Sequence, residues 1–300
     1  MQVIISSALE QGLIYCFMVL GVFLTFRVLD FPDLTVDGSL PLGAAVTGAL
    51  IVGGHSPLLA TAAGVGAGLC AGLVTGFLHL LLKSGESDST NYGPKLLAGI
   101  LTMTALYTVN LRIMGRSNIP LLGVQVIFDK VGAFLSLTMI GWNLVLTLAA
   151  LAFVVKYVLD WLLHTEFGLT LLATGDNEQM IRAMGTNTNV TRIVGLALAN
   201  GLVALTGSLV AQQQGFADVG MGIGTIVAGL AGVIMGEVIF GVRNISWVLF
   251  SVIGGSIIYR LLIAISLRLG IEPTDLKLLT AALVVVALSV PTVRRKVVRS

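Results

Sequence analysis

The sequence predicts an all-α, polytopic membrane protein with about nine transmembrane helices. Three observations carry that prediction. Of the 300 residues, 56% are hydrophobic and 11% charged, less than half the ~25% charge of a soluble domain. The mean hydropathy is +0.99. The apolar stretches are continuous, and many approach the ~20 residues that cross a ~30 Å hydrocarbon core. A β-barrel would instead alternate apolar and polar positions.

The runs fall near residues 5–26, 38–54, 57–82, 96–113, 140–160, 190–213, 222–241, 246–268 and 277–291. Together they make residues 1–300 one transmembrane domain, with membrane lipid as its first partner. MQVIISSALEQG lacks the basic region and cleavage site of a signal peptide, so the first span is expected to be retained. FRVLDFPDLTVDGS leads into the second span, and Pro32 and Pro41 suit a helix start. Asp37 and Ser39 are placed to cap that span. Its acidic run of Asp30, Asp33 and Asp37 has two readings. Either it is a solvated loop in which Arg27 pairs with Asp30, or it is a broken-helix entry that meets the solute.

Later intervals are KSGESDSTNYGPK, the loop 112–139, the segment 161–189, GVRN and LGIEPTD, and the tail RRKVVRS carries four basic residues. With that tail in the cytoplasm, Arg27, Lys83, Lys95, Lys156, Arg182, Arg192 and Arg243 also lie inside. Arg112, Arg116, Lys130, Arg268 and Lys277 lie outside. The asymmetry predicts an outside amino terminus and a cytoplasmic 161–189 segment, although Arg112 and Arg116 run against it.

Phe31-Pro-Asp-Leu-Thr-Val-Asp and Phe216-Ala-Asp-Val-Gly-Met-Gly each precede a Gly/Ala-rich span, 185 residues apart. The same shift carries the eighth run onto the third and the ninth onto the fourth. The pattern is that of two inverted four-helix repeats around a connecting helix, a recurrent transporter plan. Chance likeness among Gly/Ala-rich spans is the other reading. The 36 glycines predict close helix packing in either case.

Chemistry-bearing motifs are missing. There is no phosphate-binding loop of the GxxxxGK[ST] type, no HExxH and no GxSxG. Cys16 and Cys70 sit in apolar runs and read as buried thiols, while His55, His79 and His164 read as packed or interfacial. No metal site, resident cofactor or nucleic-acid partner is therefore expected. Glu237 and Asn200 lie inside spans, where a polar group lines a path or joins helices. Arg260 is a candidate ion-pair partner for Glu237. Gln212, Gln213 and Gln214 mark either the water interface or a docking place for an outer protein.

The longest polar interval contains Asp176-Asn177-Glu178-Gln179-Met180-Ile181-Arg182-Ala183-Met184-Gly185. Asp176 is expected to cap a two-turn helix, with Gln179 completing a capping box and Gly185 closing it. Met180, Ile181, Ala183 and Met184 form its apolar flank. A short capped helix projecting from a membrane domain suits a groove in another protein.

This passage, from HTEFG through ATGDNEQMIRAMG to a Gly/Ala-rich span, resembles the coupling segment of ABC-importer permeases of the ribose and branched-chain amino acid type. VLDFPDLTVDGSLPLGAAVTGAL is similar to the family's helix opening. The resemblance implies that residues 175–185 dock in an ATPase subunit. Asp176, Glu178 and Arg182 would make charged contacts there, and Met180, Ile181 and Met184 would fill the groove. It further implies a second permease copy or paralogue, an extracytoplasmic solute-binding protein, and ATP with Mg²⁺ on the ATPase rather than on this chain. The extra Asp37 and the lack of a leading span lean towards the amino-acid branch, with a sugar or nucleoside as the alternative solute. Asp33, Asp37, Ser39, Asn200 and Glu237 are the candidate pathway residues. The rival function is an ion-coupled secondary transporter using Glu237 and the Asp30–Asp37 run.

Overall fold

The computed structural model describes residues 2–83, 93–135 and 142–270, with scattered positions from 272 to 285. Helix α1 (Gln2–Phe23) continues as a π-helical turn, Leu24–Val28, and is followed by α2 (Val36–Val52), α3 (Pro57–Lys83) and α4 (Gly93–Met114). After a short strand β1 (Asn118–Pro120) come α5 (Ile127–Leu135), α6 (Trp142–His164), α7 (Glu166–Asp176), α8 (Glu178–Ala183) and α9 (Thr188–Gln214). Strand β2 (Phe216–Asp218) and a 3-10 turn (Val219–Gly222) lead to α10 (Thr225–Phe240) and α11 (Ile245–Arg268).

Among the described residues, seven spans are long and apolar enough to cross a membrane, and α2 is a shorter apolar helix. These match the first eight expected runs. The ninth, 277–291, falls largely outside the described residues, so a count of nine is not established. Two helices were not anticipated. Helix α5 lies in the 112–139 loop, and α7 occupies the first half of the 161–189 segment because Thr165 caps it, its side chain accepting from Gly168 N at 3.2 Å.

Helix α9 is the axis of the bundle. It packs along α2 and α3, while α1 packs along α10 and α11. Phe17, Leu20, Leu24, Phe31, Leu196 and Leu249 belong to the largest buried apolar cluster. The α3–α9 seam is built on glycine. Gly64, Gly68, Gly72 and Gly76 recur every fourth residue and so share one face. Small residues of this kind let backbones approach where lipid provides no hydrophobic drive for association.

The expected repeat is visible in three of its four pairs. The 185-residue shift from Phe31 to Phe216 carries α1 with its π-turn onto α9, α2 onto α10, and α3 onto α11. Both copies open their second helix alike. Asp33 Oδ1 accepts from Thr35 N at 2.9 Å, and Asp218 Oδ1 accepts from Gly220 N at 2.7 Å. Each second helix packs on the first helix of the other copy, α2 on α9 and α10 on α1. The fourth pair involves 277–291 and lies outside the described residues.

Helices α2 and α10 start side by side and run to opposite ends. Helix α2 ends near the turn at Ser56, where Lys130 donates to Ser56 Oγ at 3.2 Å. Helix α10 ends where Arg27 meets Glu237. At 17 and 16 residues they are ~25 Å long by the usual rise of 1.5 Å per residue, and α10 reaches spanning length only together with the 3-10 turn before it. Two helix N-termini therefore face each other, with Ile223 and Gly224 exposed at the start of α10.

The small sheet pairs β1 with β2, Asn118 opposite Asp218. It ties the end of α4 to the end of α9, on the side away from α7 and α8. Gln212 is enclosed at this end, accepting from Ile127 N at 2.8 Å and donating to Thr61 Oγ1 at 2.9 Å. Of the three glutamines only Gln214 is exposed. Cys16 is buried as expected, whereas Cys70 is exposed on the outer face of α3. Among the described residues no group of His, Cys, Asp and Glu could hold a metal ion.

Candidate functional site

The chain breaks between α1 and α2 for local reasons. Asp30 takes a left-handed conformation (φ 48°), which an aspartate tolerates better than most residues. Pro32 then removes a backbone donor, and Asp33 turns the chain through its bond from Thr35 N. The result is a polar centre inside the bundle. Asn200 Nδ2 donates to Asp33 Oδ2 at 2.7 Å and to Leu196 O at 3.0 Å, and Ser39 Oγ donates to Asn200 Oδ1 at 2.7 Å. The hydroxyls of Thr35 and Thr75 are 2.9 Å apart. All five side chains are fully buried. Asn200 thus joins α9 to both sides of the break, and Thr75 joins α3 to it.

Asp37 does something other than cap its own helix. Its Oδ2 accepts from Gly224 N at 2.9 Å, and its Oδ1 accepts from Ile226 N at 2.8 Å and Thr225 Oγ1 at 3.0 Å. It is the N-terminal cap of α10, supplied from α2, and its charge complements that end of the helix. Ser39 likewise serves Asn200 rather than α2. Removing the carboxylate in Asp37→Ala is expected to destabilise the bundle by ~0.5–2 kcal/mol, the usual cost of losing a cap. A lower thermal midpoint in detergent, only partly recovered in Asp37→Asn because the amide offers one acceptor oxygen where the carboxylate offers two, is the readout.

The candidate pathway residues therefore separate. Asp33, Ser39 and Asn200 share one hydrogen-bonded centre, and Asp37 lies two residues from Ser39 at the start of α10. Glu237 sits apart, three residues before the end of α10, where Arg27 Nε donates to it at 2.7 Å. Arg27 is thus not the partner of Asp30, which lies instead 3.8 Å from Lys95. Arg260 is not the partner of Glu237. Its guanidinium stacks over the Tyr15 ring at 3.4 Å. Thr35 and Thr75 carried no charge to mark them in the sequence. The repeated Phe-x-Asp turn was the available signal for Thr35.

At one end of the bundle, α7 and α8 form an elbow. The N-cap of α8 is Asn177, not Asp176. Asp176 completes α7, leaving Asn177 (φ −150°) as the single non-helical residue, and its Oδ1 accepts from Met180 N at 3.0 Å. Gly185 closes the helix as expected. At φ +87° it lets Gly185 N donate to Arg182 O at 3.0 Å and Thr186 N to Ile181 O at 3.3 Å, a paired closure that needs the left-handed position.

The apolar flank of α8 divides. Ile181 is buried, while Met180 and Met184 are 53% and 73% exposed. Glu178 turns inward. Lys83 contacts it at 2.8 Å, Arg182 at 2.6 Å and Arg192 at 2.7 Å. Burial raises its carboxyl pKa, but the hydrogen bond from Lys83 and the charges of Arg192, Lys83 and Arg182 outweigh that and hold it at about 2. Arg182 also donates to Thr188 Oγ1 at 2.8 Å. The outer surface of α8 thus carries Met180 and Met184 beside Gln179, Arg182 and Ala183, and its inner surface is a charged anchor.

Comparison with known proteins identifies the family. Residues 4–289 match the family described as branched-chain amino acid transport system, permease component. A tyrosine transport system permease protein of Clostridioides difficile is 41% identical over 285 residues, covering 95% of this chain and 90% of that one. An uncharacterised protein of Rickettsia prowazekii is 35% identical over 95% of this chain and 97% of its own. The autoinducer 2 import system permease protein of Salmonella paratyphi B is 30% identical, over 69% of this chain and 55% of that one. No solved structure matches. With a family match spanning nearly all of its length and a predominantly helical, multi-pass membrane fold, the chain belongs to the branched-chain amino acid-type permeases of ABC transport systems.

Proposed function

We propose that this permease is the membrane subunit of a bacterial inner-membrane ABC importer for an amino acid. It works as a homodimer or as a heterodimer with a paralogue. An ATPase binds on the α7–α8 side, and a solute-binding protein delivers the solute on the β1–β2 side. ATP and Mg²⁺ bind on the ATPase, and this chain contributes movement rather than bond chemistry. The observation that carries the reading is α8, a capped helix whose Met180 and Met184 project from a domain of this family. Two exposed methionines on a short rigid helix suit an adaptable apolar groove.

The distribution of basic residues supports the orientation. Arg27, Lys83, Lys95, Lys156, Arg182, Arg192 and Arg243 belong to the α7–α8 end, which we assign to the cytoplasm. This puts the amino terminus outside. The centre at Asp33, Ser39 and Asn200 is the proposed gate of the pathway, because helix breaks inside a membrane bundle are tolerated where they line a path or are buried in protein. The relative from C. difficile makes tyrosine the first solute to test.

The experiment is a pull-down of the tagged chain from mild detergent, then uptake of radiolabelled tyrosine by vesicles of the recovered complex. A stoichiometric ATPase, lost when 176–184 becomes a Gly/Ser linker, is the expected result. A chain that purifies alone and transports without ATP would establish an ion-coupled carrier instead.

A further inference from the structure

The α8 helix meets its prospective partner with its methionines, and it meets its own membrane domain chiefly through one carboxylate, with Arg182 adding bonds to Thr188 and Asn189 at the start of α9. Glu178 is 8% exposed. Its cations come from three places. Lys83 is the last residue of α3, Arg192 lies in the first turns of α9, and Arg182 is on α8 itself. Besides this, α8 packs on α7 and the start of α9, with Ile181 as its buried apolar contact.

The two helices so tied are the ones that reach the polar centre. Helix α3 carries Thr75, against Thr35, and α9 carries Asn200, against Asp33 and Ser39. Along the way Gly76, Gly72 and Gly68 meet the α9 backbone at Ile193, at Leu196 and Ala197, and at Asn200, so the two helices move as a unit. Beyond the centre, Asp37 fastens α2 to the start of α10. A continuous chain of stiff helices and hydrogen bonds thus leads from α8 to the facing ends of the two short helices.

We propose that Glu178 is the positioning residue through which displacement of α8 is passed to α3 and α9, and so to the break before α2. This rests on the reading of α8 as the ATPase-docking helix. A buried carboxylate shared by three cations suits that role. An ion pair in a water-poor site resists separation far more than an apolar contact of similar size. Sliding α8 without α3 and α9 would strand the charges. A link that must transmit a push needs that stiffness, which Ile181 alone does not supply. With its carboxyl held at about 2, the link stays charged across any pH at which transport is assayed.

The test uses the full complex of permease, ATPase and solute-binding protein in liposomes, and reads solute transported per ATP hydrolysed. In Glu178→Gln the exposed methionines are untouched. The ATPase is expected to bind with unchanged Kd and to hydrolyse ATP, while the transport ratio falls at least tenfold. Glu178→Asp, which keeps the charge, should recover most of the ratio. Lys83→Gln removes only the α3 arm and leaves both arginines to satisfy the carboxylate. It should fold and lower the ratio by a smaller factor, which keeps the inference open to refutation if Glu178→Gln is unstable. A native ratio in either glutamine variant overturns the link. Loss of ATPase affinity at native ratio overturns it too, assigning Glu178 to the docking surface. If the unmodified chain recruits no ATPase, it is the docking-helix reading that fails, before Glu178 is tested.

Discussion

Replacing Met180 and Met184 together by aspartate is expected to abolish ATPase association while leaving the membrane domain folded. The two side chains are 53% and 73% exposed, so neither holds the bundle together. In a partner groove each would bury an apolar side chain worth ~1.5–3 kcal/mol. A carboxylate forfeits that and must also be desolvated without a partner. Losing ~3–6 kcal/mol corresponds to ~10²–10⁴-fold in affinity at 1.4 kcal/mol per tenfold. Co-purification in detergent reads the association, and the thermal midpoint of the isolated permease checks the fold. An unchanged Kd for the ATPase would remove α8 from the interface.

The second large effect is expected in the α3–α9 seam. A Cβ added at Gly72 would lie 2.3 Å from Leu196 O and 2.6 Å from Ala197 Cα. Both are backbone atoms of a helix and cannot rotate away, so the helices must separate along their contact. Overpacking usually costs ~1–3 kcal/mol, and Gly72→Val should sit at the top of that range or above. The separation also pulls Thr75 from Thr35 and strains the bonds of Asn200. Gly66 provides the control on the same helix, since nothing lies within 4 Å of a Cβ there. Gly66→Val is expected to change stability by little. Equal thermal midpoints for the two valine variants would show that the seam tolerates widening.

The spans, the short helix in the polar interval and the Phe-x-Asp repeat were all legible along the chain. Each depends on neighbours in sequence. A bilayer imposes a one-dimensional test, a sufficient run of apolar residues, and helix closure by Gly185 depends on residues within one turn. Even here the cap of α8 moved from Asp176 to Asn177, because two helices meet with one residue between them. That junction is set by where α7 ends rather than by a capping pattern.

Partners of the polar residues were not legible. Arg27 meets Glu237 across 210 positions, Asn200 meets Asp33 across 167, and Asp37 meets Gly224 across 187. In a chain of similar apolar helices, composition does not say which faces touch. The registry follows from glycine seams and from the exchange of short helices between the two repeats. Sequence alone determined that this is a multi-pass helical membrane protein with a short capped helix in its longest polar interval, since burial in lipid and local capping are short-range requirements. Only the tertiary structure decided that Asp37 caps a distant helix, that Glu178 is an internal anchor, and that Asp33, Ser39 and Asn200 form one centre. A buried polar group must find a partner wherever the packing places one.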